Sequence, residues 1–220
     1  MRWSWLPALI CLGVAAGPTA AEIPDAVLVL ESLTAALPGQ VPEAAPPLFV
    51  LMEDGRVFVG GTRGMAAGRL EKTDTKELDS KVSRVRRITG LGASVTIGPG
   101  VRRQRLLLHK SAPIVIQGDP SGAPASLKPL AVLLEDLERF DHPSLKPYAP
   151  TSFIVRAREG TLPGGCRTWS FPFPLAQALA SGQVVPAAGR WPTGANPASV
   201  CEGKARYVVT VRPLLPGERP

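Results

Sequence analysis

Two histidines, three cysteines and a scatter of carboxylates are the residues of this 220-residue chain that could do acid–base, nucleophilic or metal chemistry. Histidine serves most such chemistry near neutral pH, where its proton is close to half-bound. His109 closes the apolar run QRLLLH in a basic neighbourhood, and His142 precedes a proline. Neither stands at a ligand spacing from another His, Cys or carboxylate, so the sequence implies no metal centre and no cofactor. A serine hydrolase commonly marks its nucleophile with Gly-x-Ser-x-Gly at a strand-to-helix elbow. Gly92-Ala93-Ser94-Val95-Thr96 lacks the second glycine and runs into a strand-like stretch. Gly90-Leu91-Gly92 and Gly98-Pro99-Gly100 have neither the lysine nor the following helix of a phosphate-cradling loop, and read as turns.

Carboxylates could work in pairs on a glycoside if held about 5–10 Å apart. Glu135, Asp136 and Glu138 sit on the polar side of an amphipathic segment, where solvation places acids anyway. A hydrolase using Glu135, Glu138 or His142 is the alternative expectation, behind a non-enzymatic role.

The compartment follows from the first twenty-one residues. Arg2, the apolar run Trp5 to Ala16, the break at Gly17-Pro18 and the small residues Thr19-Ala20-Ala21 have the order of a signal peptide cut near Ala21. The run is too short for a membrane-spanning helix, which needs about 20 apolar residues. Ile10 before Cys11 argues against a lipoprotein site. Export leaves Cys166 and Cys201, an even pair in an oxidising compartment, and the expectation is a disulfide. Closing a loop of that length stabilises a fold by about 4 kcal/mol in the chain-entropy model. The protein is expected to be periplasmic or secreted.

The formal charge is +7. Arg84, Arg86 and Arg87 end a helical segment, where cations meet the negative end of the macrodipole. Arg102, Arg103 and Arg105 follow a nearby turn, and Lys110 the next. If these lie together, Arg84, Arg87, Arg102 and Arg103 form a patch for an anionic envelope polymer or lipid headgroups. Export demotes nucleic acid. Trp169 and Trp191, with Phe171 and Phe173, flank the cysteines and are expected to pack around the disulfide.

The elements that would carry these residues alternate. Ala26 to Leu30 is a strand or short helix, and residues 35–47 form a Pro/Ala-rich lead-in. Leu48 to Met52 and Arg56 to Val59 form a hairpin about Asp54-Gly55, because glycine supplies the positive φ of a tight turn. Leu78, Val82 and Val85 mark one face of a helix over 75–89, capped by Asp74 with Glu77. Strands follow at 94–97, 104–109 and 113–117. A second helix opens at Ser126 and carries the stripe Leu130, Leu133, Leu134 and Leu137, with Glu135, Asp136, Glu138 and Arg139 on its wet side. Strands at 152–156 and 206–211, a short helix over 175–180 and a loop over 186–200 complete the chain.

This order predicts an α+β fold: a mainly antiparallel sheet with two main helices packed on it, plus a short disulfide-bearing C-terminal subdomain. The expected division is 1–21 signal peptide, 22–47 first strand and lead-in, 48–150 α+β core, and 151–220 C-terminal strands of the same domain. A third functional expectation is a peptidase inhibitor presenting the loop at 186–198.

Three islands carry a resemblance: Met52-Glu53-Asp54-Gly55-Arg56-Val57, then Pro147-Tyr148-Ala149-Pro150-Thr151, and finally Tyr207 through Arg212-Pro213-Leu214-Leu215-Pro216-Gly217-Glu218. They resemble a family of uncharacterised secreted proteins and lipoproteins of high-GC bacteria. Its members show an early DGR-V hairpin, a PY-PT strand entry, a cysteine in the tail and a closing Y-V-RPLLP-E. The middle of this chain matches poorly, and the family's lipidated cysteine is missing. The resemblance implies export and an α+β fold, and carries no activity.

Overall fold

The computed structural model describes residues 23–33, 46–60, 64–169, 173–179, 182–187 and 197–219. The signal-peptide reading of 1–21, most of the lead-in, Phe171 and Trp191 lie outside them. The chain is α+β, mostly sheet, with two helices and mainly antiparallel pairing. In chain order the first part runs β1 (Ala26–Ser32), β2 (Phe49–Met52), β3 (Arg56–Val59), β4 (Ala66–Arg69), α1 (Lys72–Arg86), β5 (Ser94–Thr96), β6 (Arg103–Leu108), β7 (Ile114–Gln117), α2 (Lys128–Glu138) and β8 (Lys146–Pro147). These strands form one sheet in the order β5-β7-β6-β1-β2-β3-β4-β8, with only β5 and β7 parallel.

Alternation assigns the faces. Leu28, Leu30, Phe49, Leu51, Leu106 and Leu108 meet the helices, which contribute Leu78, Val85 and the stripe Leu130, Leu133, Leu134 and Leu137. Those four α2 leucines are completely buried, and each is worth about 1.5–3 kcal/mol of transfer free energy. The helices are tied across their exposed seam by Lys81, whose Nζ lies 3.0 Å from Asp136 and 2.8 Å from Glu77. Those two carboxylates raise the lysine's pKa.

The first helix starts earlier than its pattern suggests. Glu71 is the N-cap, and its N–H donates to Asp74 Oδ2 at 3.2 Å. An acid three residues into the helix completes the reciprocal cap from either register, so the Asp74/Glu77 expectation chose the wrong one of two chemically equal frames. The second helix is preceded by a 3-10 turn over Ala125–Leu127, which pushes its start from Ser126 to Lys128.

The other face of this sheet is covered too, which is why all four residues of β2 are buried. Val29, Val50, Met52 and Phe58 pack there with Ile23 and with Leu215 from the C-terminal tail. Tyr148 stands edge-on to Phe58, ring centroids 5.3 Å apart, and its hydroxyl donates to the Leu214 carbonyl at 3.0 Å.

The tail is delivered by the remaining strands: β9 (Ser152–Glu159), β10 (Arg167–Thr168), β11 (Gln183–Pro186), β12 (Ala198–Glu202) and β13 (Ala205–Pro213). They form a second sheet in the order β10-β12-β13-β9-β11. Its core of Val155, Val185, Val200, Tyr207, Val209 and Val211 closes under a 3-10 turn at Leu175–Ala178. The expected loop over 186–200 therefore holds a strand at its end, β12, drawn into register by pairing with β13. Cys166 and Cys201 are disulfide-bonded, Cα atoms 5.5 Å apart.

Past β13 the chain turns back through Leu215-Pro216-Gly217-Glu218. The Glu218 N–H reaches the Leu215 carbonyl at 3.1 Å, and Gly217 takes φ 77°. Proline second and positive φ third are the requirements of a type II turn. The turn folds Glu218 onto Arg212. Its carboxylate accepts Arg212 Nη1 at 2.9 Å, Arg212 Nη2, and the Leu215 N–H at 2.9 Å. The two side chains are 0% and 5% exposed.

Candidate functional site

Placing the four expected arginines requires only β6 as a ruler. Six residues long, it separates its ends by about 16 Å. Arg102 and Arg103 lie at its start. The end of α1 lies at its finish, where Arg86 Nη2 donates to the His109 carbonyl at 2.9 Å. The structure therefore splits the expected patch. Arg84 and Arg87 belong to one end of the sheet, Arg102 and Arg103 to the other.

At the start of β6, Arg102 is not available as a free cation. Its guanidinium pairs with Glu138, whose carboxylate also accepts Gln104 Nε2. Glu138 is only 15% exposed. This corrects its assignment to the wet side of α2: helical spacing put it there, but the turn leading into β6 covers it. The cluster leaves Gln104 Oε1 buried with no protein partner among the described residues.

At the finish of β6 the cations are open. Arg84, Arg86, Arg87 and Lys110 are all exposed. Lys110 holds a left-handed φ of 59° in the turn between β6 and β7. Glu53 lies 3.9 Å from His109 Nδ1. A groove of about 400 Å³ begins beside His109 and Lys110 and follows β1 and β6, with Val29 and Leu107 among its walls and Ile23 at its lip. Its other charged wall residue, Glu31, is neutralised by Arg105 at 2.6 Å. Lys110 is therefore the one cation of this end that lines the groove.

His142 is embedded in a hydrogen-bonded chain. His142 Nε2 lies 3.3 Å from Asp74 Oδ2, and its Nδ1 lies 2.8 Å from Ser144 Oγ. The Ser144 N–H also donates to Nδ1, at 3.2 Å, which makes that nitrogen the acceptor and leaves the proton on Nε2. The connectivity is that of a serine–histidine–aspartate relay. The surroundings are not those of a nucleophile. Ser144 packs onto the backbone of Gly68, where even a Cβ would fall 2.5 Å from Oγ. Nδ1 is also shared with the serine's own amide. The chain clips the start of α1 to the β4–β8 edge.

Three other carboxylates are similarly committed. Asp136 pairs with Lys81 and Glu138 with Arg102. Asp54 accepts the Arg56 N–H at 3.0 Å within its hairpin turn, which lowers its pKa, and its pairs with Arg56 and Arg69 act in the same direction. Among the described residues no group of three or more His, Cys, Asp or Glu could hold a metal. No described helix is long and apolar enough to cross a membrane. Trp169 and Phe173 stack edge-to-face at 5.3 Å against the second core. Residues 188–196 of the expected inhibitory loop lie outside the described residues.

The fold and site define a class: an α+β protein of two sheets, the second carrying a disulfide, with an exposed basic end at one corner. Comparison with known proteins goes no further, because no family model, no curated protein and no solved structure matches the chain.

Proposed function

We propose that the protein is an exported, non-enzymatic binding module that recognises an anionic envelope component through the Arg84–Arg86–Arg87 end of α1 and Lys110. The reading rests on one observation: the hydrogen bond from Arg86 to the His109 carbonyl joins the helix end to the β6–β7 turn, concentrating four exposed cations. Such a concentration attracts polyanions and headgroups over roughly a Debye length, about 8 Å at physiological salt. The Cys166–Cys201 bond and the opening segment of the sequence support export, as does the resemblance to secreted proteins of high-GC bacteria. The disulfide-bearing second sheet acts as a platform whose tail braces the first.

Retention on vesicles containing an anionic phospholipid, and on an anionic cell-wall polymer, tests the site. Binding is expected to weaken steeply between low and high salt. The double change Arg84→Glu/Arg87→Glu should reduce retention at least tenfold, while Arg158→Glu on the second sheet leaves it unchanged. Equal loss in both variants, or salt-independent retention, refutes the assignment.

A further inference from the structure

The groove along β1 and β6 has the proportions of a small-molecule site. Its volume of about 400 Å³ falls within the range of ligand pockets, which are mostly apolar with a few placed polar groups. Val29 and Leu107 stand directly across the two strands from each other and line it, with Ile23, Pro24 and Ala26 beside them. At one limit is Glu31, level with Arg105 and ion-paired to it at 2.6 Å. At the other are His109, Lys110 and Ser111. The strand from Arg105 to the turn at Lys110 makes the groove about 15 Å long.

The charge at its end is built in. Arg86 Nη2 donates to the His109 carbonyl at 2.9 Å, holding the helix end against a residue that lines the groove. Lys110 takes φ 59°, the one positive φ of a non-glycine among the described residues. A side chain is strained there, and glycine would turn the chain at lower cost. Turn geometry therefore does not call for lysine, whose ammonium puts a positive charge at the mouth of an apolar groove. Two exposed acids, Asp25 and Glu53, share this end with the exposed Arg84, Arg86, Arg87 and Lys110, so it keeps a net positive charge. Apolar walls gain by leaving water, and an ammonium gains by a charged hydrogen bond to an anion. A molecule that satisfies both carries an anionic head on a slender apolar tail.

We propose that this groove binds a single-chain anionic amphiphile, its head on Lys110 and its tail along Val29 and Leu107 toward the Glu31–Arg105 pair. The inference rests on the reading of an anionic envelope component and narrows it to a ligand class: a monomeric alkyl or acyl chain ending in a phosphate or carboxylate.

The probes are octyl, decyl and dodecyl phosphate, titrated calorimetrically into the whole protein below their micelle thresholds. Inorganic phosphate and the uncharged dodecyl maltoside are the controls. Saturable one-to-one binding is expected, tightening about two- to fourfold per added methylene while the chain fits the groove. Inorganic phosphate should bind far more weakly than dodecyl phosphate. Lys110→Gly, which suits the turn's backbone, should weaken dodecyl phosphate at least about fivefold and leave the maltoside unchanged. Leu107→Trp, which fills the groove, should erase the chain-length dependence while retention on the anionic cell-wall polymer persists. The chain-length series on the unaltered protein decides the matter even where Leu107→Trp fails to fold. Affinity that does not change from octyl to dodecyl, maltoside binding as tight as the phosphate, or an unaffected Lys110→Gly overturns the proposal. So does a dimer that dodecyl phosphate cannot compete with, since a second copy then fills the groove. The two readings fail separately. Polymer retention without tail dependence removes only the amphiphile, whereas tail-dependent binding without polymer retention removes only the wider anionic role.

Discussion

Glu218→Gln is expected to destabilise the protein by about 3–5 kcal/mol, the usual consequence of removing one partner of a buried ion pair. Glu218 has no exposed side-chain surface and Arg212 has 5%, so solvent cannot take over the guanidinium's charge. Glutamine keeps the shape but loses the charge and turns an NH2 group toward one of its donors. One of three convergent bonds, from Arg212 Nη1, Arg212 Nη2 and the Leu215 N–H, then fails at least. The clasp also holds Leu215, 2% exposed, against Val50, Met52 and Phe58. If the turn opens, its burial of about 1.5–3 kcal/mol goes as well. These losses overlap, since one turn makes both, and do not add. Urea unfolding followed by circular dichroism is the assay. With a slope of about 2 kcal/mol per molar, the midpoint should fall by roughly 1.5–2.5 M. A shift below about 0.5 M would refute the reasoning, because it would mean that water or another group already compensates Arg212. Arg212→Met/Glu218→Leu should recover part of the loss, since no charge is left stranded.

Two titrations follow, one of a half-buried phenol and one of an exposed turn carboxylate. Tyr148 has its pKa raised by burial first and then by the Glu218 charge. The neutral phenol therefore contributes fully below the ordinary tyrosine value, and that contribution is lost as pH rises through the raised one. Ultraviolet difference titration of the protein against Tyr148→Phe should show that the component lost is a late phenol; loss of a phenol titrating at the ordinary value counts against this packing. Asp54 is shifted down, chiefly by the Arg56 N–H. Its contribution is complete above the ordinary aspartate value and fades as pH falls through the lowered one. Asp54→Asn should remove that part of the acid dependence of hairpin order followed by NMR, and an unchanged acid profile would contradict the turn's hydrogen bonding.

What the sequence determined by itself is what neighbouring residues decide. Asp54-Gly55 makes its hairpin because glycine alone takes φ 83° there without strain. The leucines of α2 declare a buried face because 3.6 residues per turn align them. The apolar strands, both helices and the cysteine pair were legible for such reasons. The tertiary structure decided the rest. Ala66–Arg69, with weak strand propensity, becomes β4 because β3 offers it an edge. Glu138 reads as solvated until the turn before β6 closes over it, and Asp74, His142 and Ser144 form a chain only once α1 meets the β4–β8 edge. The arginines look like one patch along the chain and are parted by the length of a strand. Arg212 and Glu218 look like two surface charges until a tail turn buries them against each other. Local sequence sets which backbone shapes are cheap, whereas charge neutralisation and burial depend on which distant segments arrive, and that is settled only when the sheets close.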